Sequence, residues 1–513
     1  MAYLLGLDVG TTGTKALLID EAGAIVARAI SEYELATPRP NWAEQDPADW
    51  WQATCQTIQS VVTDAGISAD EVAGLGLSGQ MHGSVFLDEN DEVIRPAILW
   101  CDQRTAAQCD WITEQVGAED VVAETCNPVL TGFTAPKIIW LRQNEPANYE
   151  RVRKVLLPKD YVRFLLTGEY ATEVSDASGT SLFNVPERRW SKLILERIDL
   201  PRELLPRVYE SPRVTGQVTE LAAEASGLAA GTPVVGGGGD QAAGAVGNGI
   251  VTTGVFSSTV GTSGVVFAHL DEPLMDKQLR THTFCHAVPG KWHVMGVVLS
   301  AGGSFRWLRD NLCRREIAQG KESGRDPYKY MTEAAADVPP GAEGLIFLPY
   351  LTGERTPHAN PDAKGVFFGL TLRHTKAHMI RAAMEGVAFA MRDSFEIMRG
   401  MGVEAAQVRA SGGGARSKLW RQIQADVTGQ AHCTINIDEG PAFGVALLAG
   451  VGTGIYGTVP EACSATISVV DELAPDPART QLYEGYYRLY QELYQQLEPC
   501  FETDQQLVNA GPV

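Results

Sequence analysis

Near the N-terminus, short apolar runs at residues 3–7, 16–20 and 25–30 are separated by polar, glycine-bearing breaks at 8–15 and 21–23. This spacing predicts an antiparallel meander: strand, hairpin, strand, turn, strand. The same plan returns about half a chain later. There, apolar runs from Val255 and to Ala268 flank the turn Gly261-Thr262-Ser263-Gly264. Between the two units, Thr232-Pro233-Val234-Val235 predicts a short buried strand, and residues 241–247 predict a helix of small side chains. Later the apolar period changes from two to about 3.6. Ile380, Met384, Val387, Met391, Phe395 and Met398 share one face of a helix predicted over 375–399, ended by Gly400 and Gly402. Methionines at that spacing read as core. An amphipathic helix rich in Tyr and Leu is predicted over 482–501, and Asp46-Pro47 reads as a helix start, a natural cap followed by a first-turn proline.

The breaks carry the candidate chemistry. Gly236-Gly237-Gly238-Gly239 runs straight into Asp240. Each glycine costs about 0.5–1 kcal/mol against alanine in an ordered element, so four together mark a sharp bend where something must approach without a Cβ in the way. One carboxylate stands at that opening; the alternative is a flexible linker that ends in an Asp helix cap. At a helix N-terminus the charged form is favoured, so Asp240 is expected to be a weak base. The first hairpin offers backbone N–H groups with Asp8, Thr11, Thr12, Thr14 and Lys15, and successive N–H groups in a tight turn make an anion-holding concavity. It lacks the Gly-Lys-Ser/Thr ending of a Walker loop. The second hairpin adds Gly261, Thr262 and Ser263, and the cluster at 411–417 adds Gly413 and Gly414, where backbone suits a flat ring or phosphates. Two such hairpins facing a cleft would grip a nucleotide triphosphate from both sides.

Composition narrows the class. A chain of 513 residues exceeds one ordinary core, so two large domains or a few smaller ones are expected, with a division near residues 244–254 and Asp240 at the floor of the cleft there. Hydrophobic residues at 44% and charged residues at 20% describe a soluble globular protein, and no long uncharged apolar run suggests a membrane span. A net charge of -21 repels nucleic acid at long range. Nine cysteines without metal-type spacing, and a start that enters a strand with no basic or cleavage-type segment, give the expectation of reduced thiols and a cytoplasmic location.

Several stretches then fit together. They are Asn41-Trp42-Ala43-Glu44-Gln45-Asp46-Pro47, Gly79-Gln80-Met81-His82-Gly83, Arg95-Pro96-Ala97-Ile98-Leu99-Trp100, Gly132-Phe133-Thr134-Ala135-Pro136-Lys137, Leu157-Pro158-Lys159-Asp160-Tyr161, Pro349-Tyr350-Leu351-Thr352-Gly353-Glu354-Arg355-Thr356-Pro357 and Gly365-Val366-Phe367-Phe368-Gly369-Leu370. With the glycine turns they resemble the FGGY family of carbohydrate kinases along nearly the whole chain. The resemblance implies an α/β fold of two ribonuclease-H-like domains, of the actin and hexokinase type, around a central cleft. Residues 1–247 would carry the sugar pocket, the first phosphate hairpin and the catalytic aspartate; residues 248–513 would carry the second hairpin and the adenine side.

The implied activity is phosphoryl transfer from ATP, with Mg²⁺, to a sugar or polyol. Asp240 would be the general base. Asp8 would be a second catalytic carboxylate holding Mg²⁺, directly or through water, although a hairpin Asp also bonds its own backbone. Met81, His82, Trp100, Asp240 and Gln241 would form the sugar pocket, and Thr11, Thr12, Thr14, Lys15, Gly261, Thr262, Ser263, Gly413 and Gly414 would surround ATP. Gln241 stands where some members have Asn, keeping the amide and lengthening its reach. A homodimer is implied as well. Within the family the likeness is greatest to members acting on D-xylulose, carried by Met81-His82 and residues 353–357. Ribulose, glycerol or gluconate as acceptor, and a nucleotide-driven scaffold of the actin and Hsp70 type, are the alternatives.

Overall fold

The structure, a computed structural model, describes residues 2–510. β1 (Tyr3–Val9), β2 (Gly13–Asp20) and β3 (Ile25–Glu32) form the predicted antiparallel meander. β4 (Val72–Gly79) lies parallel beside β1, and β5 (Val214–Gln217), β6 (Pro233–Val235) and β7 (Gly238–Gly239) complete a seven-stranded sheet. A second seven-stranded sheet repeats the plan. β8 (Val255–Val260) and β9 (Gly264–Leu270) pair around the predicted turn, and β10 (His282–Cys285) and β11 (Trp292–Val298) extend that side. β12 (Gln407–Ser411) lies parallel beside β8, followed by β13 (His432–Ile435) and β14 (Val469–Leu473). In both sheets the first strand has its hairpin partner on one side and a parallel strand on the other, which is the duplication seen in the sequence.

The strand period of two sorts β1 into two layers. Leu5, Leu7 and Val9 join Trp50, Ile58 and Val61 of α1 (Pro47–Ala65), a helix that opens with the Asp46 carboxylate accepting the Ala48 N–H at 3.0 Å. Leu4 packs in the other layer with Ala442, Val445, Ala446 and Ala449. Two short helices lie near the end of β7: α2 (Val174–Ala177) and α3 (Asp240–Gly247). In the second half, α4 (Lys376–Gly400) starts after its cap Thr375 and ends one residue beyond the expected stop, with Gly402 at φ +82. Its six predicted core residues are buried, but so is every residue from Ile380 to Met391, because the helix runs through a core rather than along a surface. α5 (Lys418–Thr428) follows the third glycine cluster, and α7 (Pro477–Ala510) extends beyond both ends of the predicted tail helix.

Between these lies α6 (Gly440–Gly452), which returns from the second half to cover the first sheet. A Cβ on Gly6 would sit 1.9 Å from the Ala442 carbonyl oxygen, and one on Gly76 would sit 2.1 Å from that of Val445. Only glycine lets helix and strand backbones lie that close. α3 crosses α6 in the same way, since a Cβ on Gly444 would lie 1.9 Å from the Ala243 oxygen and one on Gly247 2.0 Å from the Gly440 oxygen. The two halves of the chain therefore meet at a glycine-lined helix crossing directly behind Asp240. Among the described residues no helix is long and apolar enough to cross a membrane.

Candidate active site

The glycine run is an ordered bend, and the linker alternative does not hold. Gly237 has φ +75, and a Cβ there would sit 1.9 Å from the Leu77 carbonyl oxygen. After that close approach Gly238 and Gly239 pair with Ser78 and Gly79 at the end of β4, while on the far side of β4 Asp8 pairs with the same Ser78. Three adjacent strand ends thus present two carboxylates on one rim, Asp8 from β1 and Asp240 as the first residue of α3.

Burial pushes the Asp240 carboxyl up to about 7, and the charge on Asp8 adds to the rise; the backbone N–H and side-chain amide of Gln241 pull the other way without cancelling it. The expectation of a weak base is corrected here. A helix terminus favours the carboxylate, but loss of water favours the neutral acid more strongly at this position. Burial likewise lifts Asp8 to about 6, against the pull of Ser78 and Lys15. The Asp8 Oδ1 atom is buried and has no hydrogen-bond partner.

On the side toward the first sheet, Met81 is buried and packs on the bend, where a Cβ on Gly239 would meet its Cγ at 2.9 Å and its Sδ at 3.0 Å. His82 takes a left-handed backbone, φ +68, and its ring stacks on Phe133 with centroids 4.6 Å apart. Its Nδ1 lies 2.7 Å from the Gly179 carbonyl oxygen. Burial, with Lys137 nearby, drives the imidazole down to about 3, so the ring is neutral. A neutral ring that donates from Nδ1 keeps Nε2 as an acceptor, which suits a substrate hydroxyl. Trp100 is 42% exposed and donates its indole N–H to Thr11 Oγ1 at 3.0 Å, so it lines the first hairpin and fills no core. The Lys137 ammonium donates to the His82 and Gly132 carbonyl oxygens at 2.8 and 2.7 Å, fixing the loop that carries the ring.

On the other side, a cavity of about 430 Å³ is lined by Asp240 and Gln241 together with Ser257, Thr259, Ser411 and Gly412 from the second half. A larger one, about 830 Å³, brings Gly261 and Thr262 together with Gly413 and Gly414. Thr262 is exposed and its hydroxyl accepts from Arg306 at 3.3 Å; Ser263 closes the turn, its carbonyl accepting the Gly261 N–H at 2.9 Å. In the first hairpin Thr12 is exposed, whereas Thr14 is buried with its hydroxyl 3.4 Å from that of Tyr33. Lys15 is paired with a carboxylate of the same cavity as Asp240: its ammonium lies 2.7 Å from Glu439 Oε2, and that carboxylate also takes Arg28.

Sequence reasoning passed over Glu173, Ser175 and Ser211, which are buried behind the bend, and it gave Phe133 and Lys137 no individual part. The ring of Phe133 and the buried lysine were visible only as members of a motif. Nothing in the local sequence links residues 173–175 to residue 239.

With this geometry in view, two family descriptions match the chain. The N-terminal domain of the FGGY family of carbohydrate kinases matches residues 3–247, and the C-terminal domain of the same family matches residues 256–453. The chain belongs to the FGGY family of carbohydrate kinases, whose co-substrate is ATP. It is 40% identical over 496 residues to a xylulose kinase of Escherichia coli strain K12, covering 96% of this chain and 99% of that one. The crystal structure of a xylulose kinase from Rhodospirillum rubrum is similar with a TM-score of 0.89 at 31% identity, covering 98% of this chain and all 100% of the other. A gluconate kinase from Lactobacillus acidophilus has a TM-score of 0.90 at 25% identity, with 98% and 99% covered. The two-domain fold is therefore common to kinases of different sugars and does not choose among them. A match of this length to sugar kinases does not favour the nucleotide-driven scaffold.

Proposed function

We propose that the protein transfers the γ-phosphoryl group of ATP to the terminal hydroxyl of D-xylulose, giving D-xylulose 5-phosphate and ADP. The observation that carries the reading is the position of Asp240. Its neighbour Gly239 rests on Met81, on the sugar side, while Asp240 itself lines the cavity shared with Thr259, Ser411 and Gly412, beside the glycine turns of the second half. An acceptor hydroxyl beside Met81 and a phosphate held at those turns would meet at this carboxylate. The choice of D-xylulose is supported by whole-length likeness to xylulose kinases.

As the sugar oxygen bonds to the γ-phosphorus, the bond from that phosphorus to the β,γ-bridging oxygen breaks and ADP leaves. The hydroxyl proton passes to Asp240. The transition state of phosphoryl transfer is loose, so positioning carries most of the rate and the base is needed late. A carboxyl raised to about 7 is a better acceptor than an ordinary aspartate, provided that it is ionised when the sugar arrives. His82 accepts a sugar hydroxyl at Nε2, Gln241 offers its amide, and Met81 covers the carbon face. Thr11, Thr12, Gly261, Thr262 and Ser263 donate to phosphate oxygens, with Gly413 and Gly414 beside the base.

A Mg²⁺ ion at such a site is held by one or two carboxylates plus phosphate oxygens and water. Asp8, with its unpartnered Oδ1, is the residue that would hold it, and the ion would supply charge screening at the phosphates. The reading divides the chain into 1–247 and 248–513 on either side of the cleft, and extends by family resemblance to a cytoplasmic homodimer.

Initial rates of sugar-dependent ADP release over D-xylulose, ribulose, glycerol and gluconate test the substrate; equal rates over the panel defeat it. Asp240→Ala tests the base, with turnover expected to fall about 10²–10⁴-fold while the nucleotide still binds. Near-normal turnover removes Asp240 from the chemistry.

A further inference from the structure

The bend that carries Asp240 is held from behind by one buried side chain that no part of the proposed reaction uses. Glu173 precedes α2 and is completely buried. Its Oε1 accepts from the Ser175 hydroxyl at 2.9 Å and the Asp176 N–H at 2.8 Å. Its Oε2 accepts from the Ser175 N–H at 2.7 Å and the Ser211 hydroxyl at 2.9 Å. Both serines then reach the glycines. Ser175 Oγ accepts the Gly239 N–H at 3.1 Å, and the Ser211 carbonyl oxygen accepts the Gly237 N–H at 2.9 Å. The contact is close as well as polar, since a Cβ on Gly236 would lie 3.2 Å from the Glu173 Cβ. Lys159 supplies a facing cation, 3.5 Å from Oε1.

We propose that Glu173 is a positioning residue for phosphoryl transfer, fixing through Ser175 and Ser211 the glycine bend that aims Asp240. The proposal rests on the reading of Asp240 as the base. A serine hydroxyl rotates freely and has one hydrogen. With that hydrogen committed to Glu173, the Ser175 lone pairs are left for Gly239, one residue before the reacting carboxylate. Four glycines in succession give the backbone freedom that must be removed somewhere. The Ser175 hydroxyl removes it at Gly239 and the Ser211 carbonyl at Gly237, and one carboxylate orients the first and anchors the residue that carries the second.

Ser175→Ala breaks the contact to Gly239 and leaves the sugar and nucleotide surfaces untouched. Its kcat is expected to fall about tenfold, since small misplacements of a catalytic group are felt strongly in rate. The KM values for D-xylulose and ATP are expected to stay within about twofold, because the lost contact lies behind the bend. In an Asp240→Ala background the same change is expected to cost nothing further. That coupling separates positioning from simple core stabilisation, which lowers Tm and leaves kcat of the folded enzyme alone. Unchanged kcat in Ser175→Ala, or an undiminished loss in the Asp240→Ala background, overturns the proposal. If Ser175→Ala fails to fold, Ser211→Ala takes its place in the same cycle under the same criteria, with a smaller loss expected because the Ser211 carbonyl remains. Full turnover by Asp240→Ala alone defeats the base assignment instead, so the two failures are distinguishable.

Discussion

Replacing Gly237 by alanine puts a methyl carbon 1.9 Å from the Leu77 carbonyl oxygen at a residue whose φ is +75. The left-handed backbone costs a residue with a Cβ roughly 1–2 kcal/mol. The collision is with strand backbone, which has no rotamer to yield, and overpacking of that kind costs about 1–3 kcal/mol. Reduced freedom of the unfolded chain returns about 0.4–1 kcal/mol, which leaves a net loss of roughly 1–5 kcal/mol. For a cooperative unit of about 150–250 residues, each kcal/mol lowers Tm by about 2–4 °C, so a fall of about 2–20 °C is expected. A shift of about 1 Å at Asp240 also cuts kcat by about 10²-fold. Gly238 is the control one residue away. A Cβ there meets nothing closer than Ala243 at 3.4 Å and its φ is not positive, so Gly238→Ala is expected to stay within about 1 kcal/mol of the parent and to keep most of its turnover. Both variants are measured by thermal unfolding and by steady-state rates well below either Tm. If the two substitutions behave alike, the bend is slack and close approach to β4 does not set the position of Asp240.

His82→Ala is expected to raise the KM for D-xylulose while the KM for ATP holds, because the ring packs against Phe133 and Phe284 and lines neither nucleotide cavity; an unchanged sugar KM refutes that pocket. Lys15→Met distinguishes two partners. The 2.7 Å pairing with Glu439 predicts an ATP KM changed by less than about twofold and, for a partly exposed lysine whose buried partner keeps Arg28, a stability change of about 1 kcal/mol; a large rise in ATP KM would assign Lys15 to phosphate instead. Part of the acid sensitivity follows from His293, a buried ring stacked on Phe267 at 4.3 Å, which burial holds down to about 3. Its folded pKa lies below the unfolded value near 6.5, so the folded state is penalised as pH falls through 6.5, by about 1.4 kcal/mol per pH unit until its own pKa is reached. His293→Phe removes that dependence, and chemical denaturation between pH 6 and 4 should show a shallower loss than the parent. Parallel slopes would mean that the ring is already charged in the folded protein.

Much of the scaffold was legible in the chain because it depends on local rules. The meander at residues 3–30, the hairpin at Gly261-Thr262-Ser263 and the start of α1 at Asp46-Pro47 follow from strand period, turn residues and capping, all settled within a few positions. The run of glycines likewise announced a bend before any neighbour was known. The edges of α4 and α7 were off by one to several residues, since helix ends depend on what packs against them.

What the sequence determined by itself was where the backbone turns, which stretches alternate, and which carboxylate is left bare at the end of the glycine run. Only the tertiary structure decided how that carboxylate behaves. Its proton affinity comes from lost water and from Asp8, more than two hundred positions away, and these outweigh the helix terminus that local reading emphasised. Its support comes from Glu173, Ser175 and Ser211, and the first sheet is covered by a helix from the other half of the chain, held close by Gly6 and Gly76. Turn and strand preferences act over a few bonds, whereas desolvation, charge and close packing act through space among residues that only folding brings together.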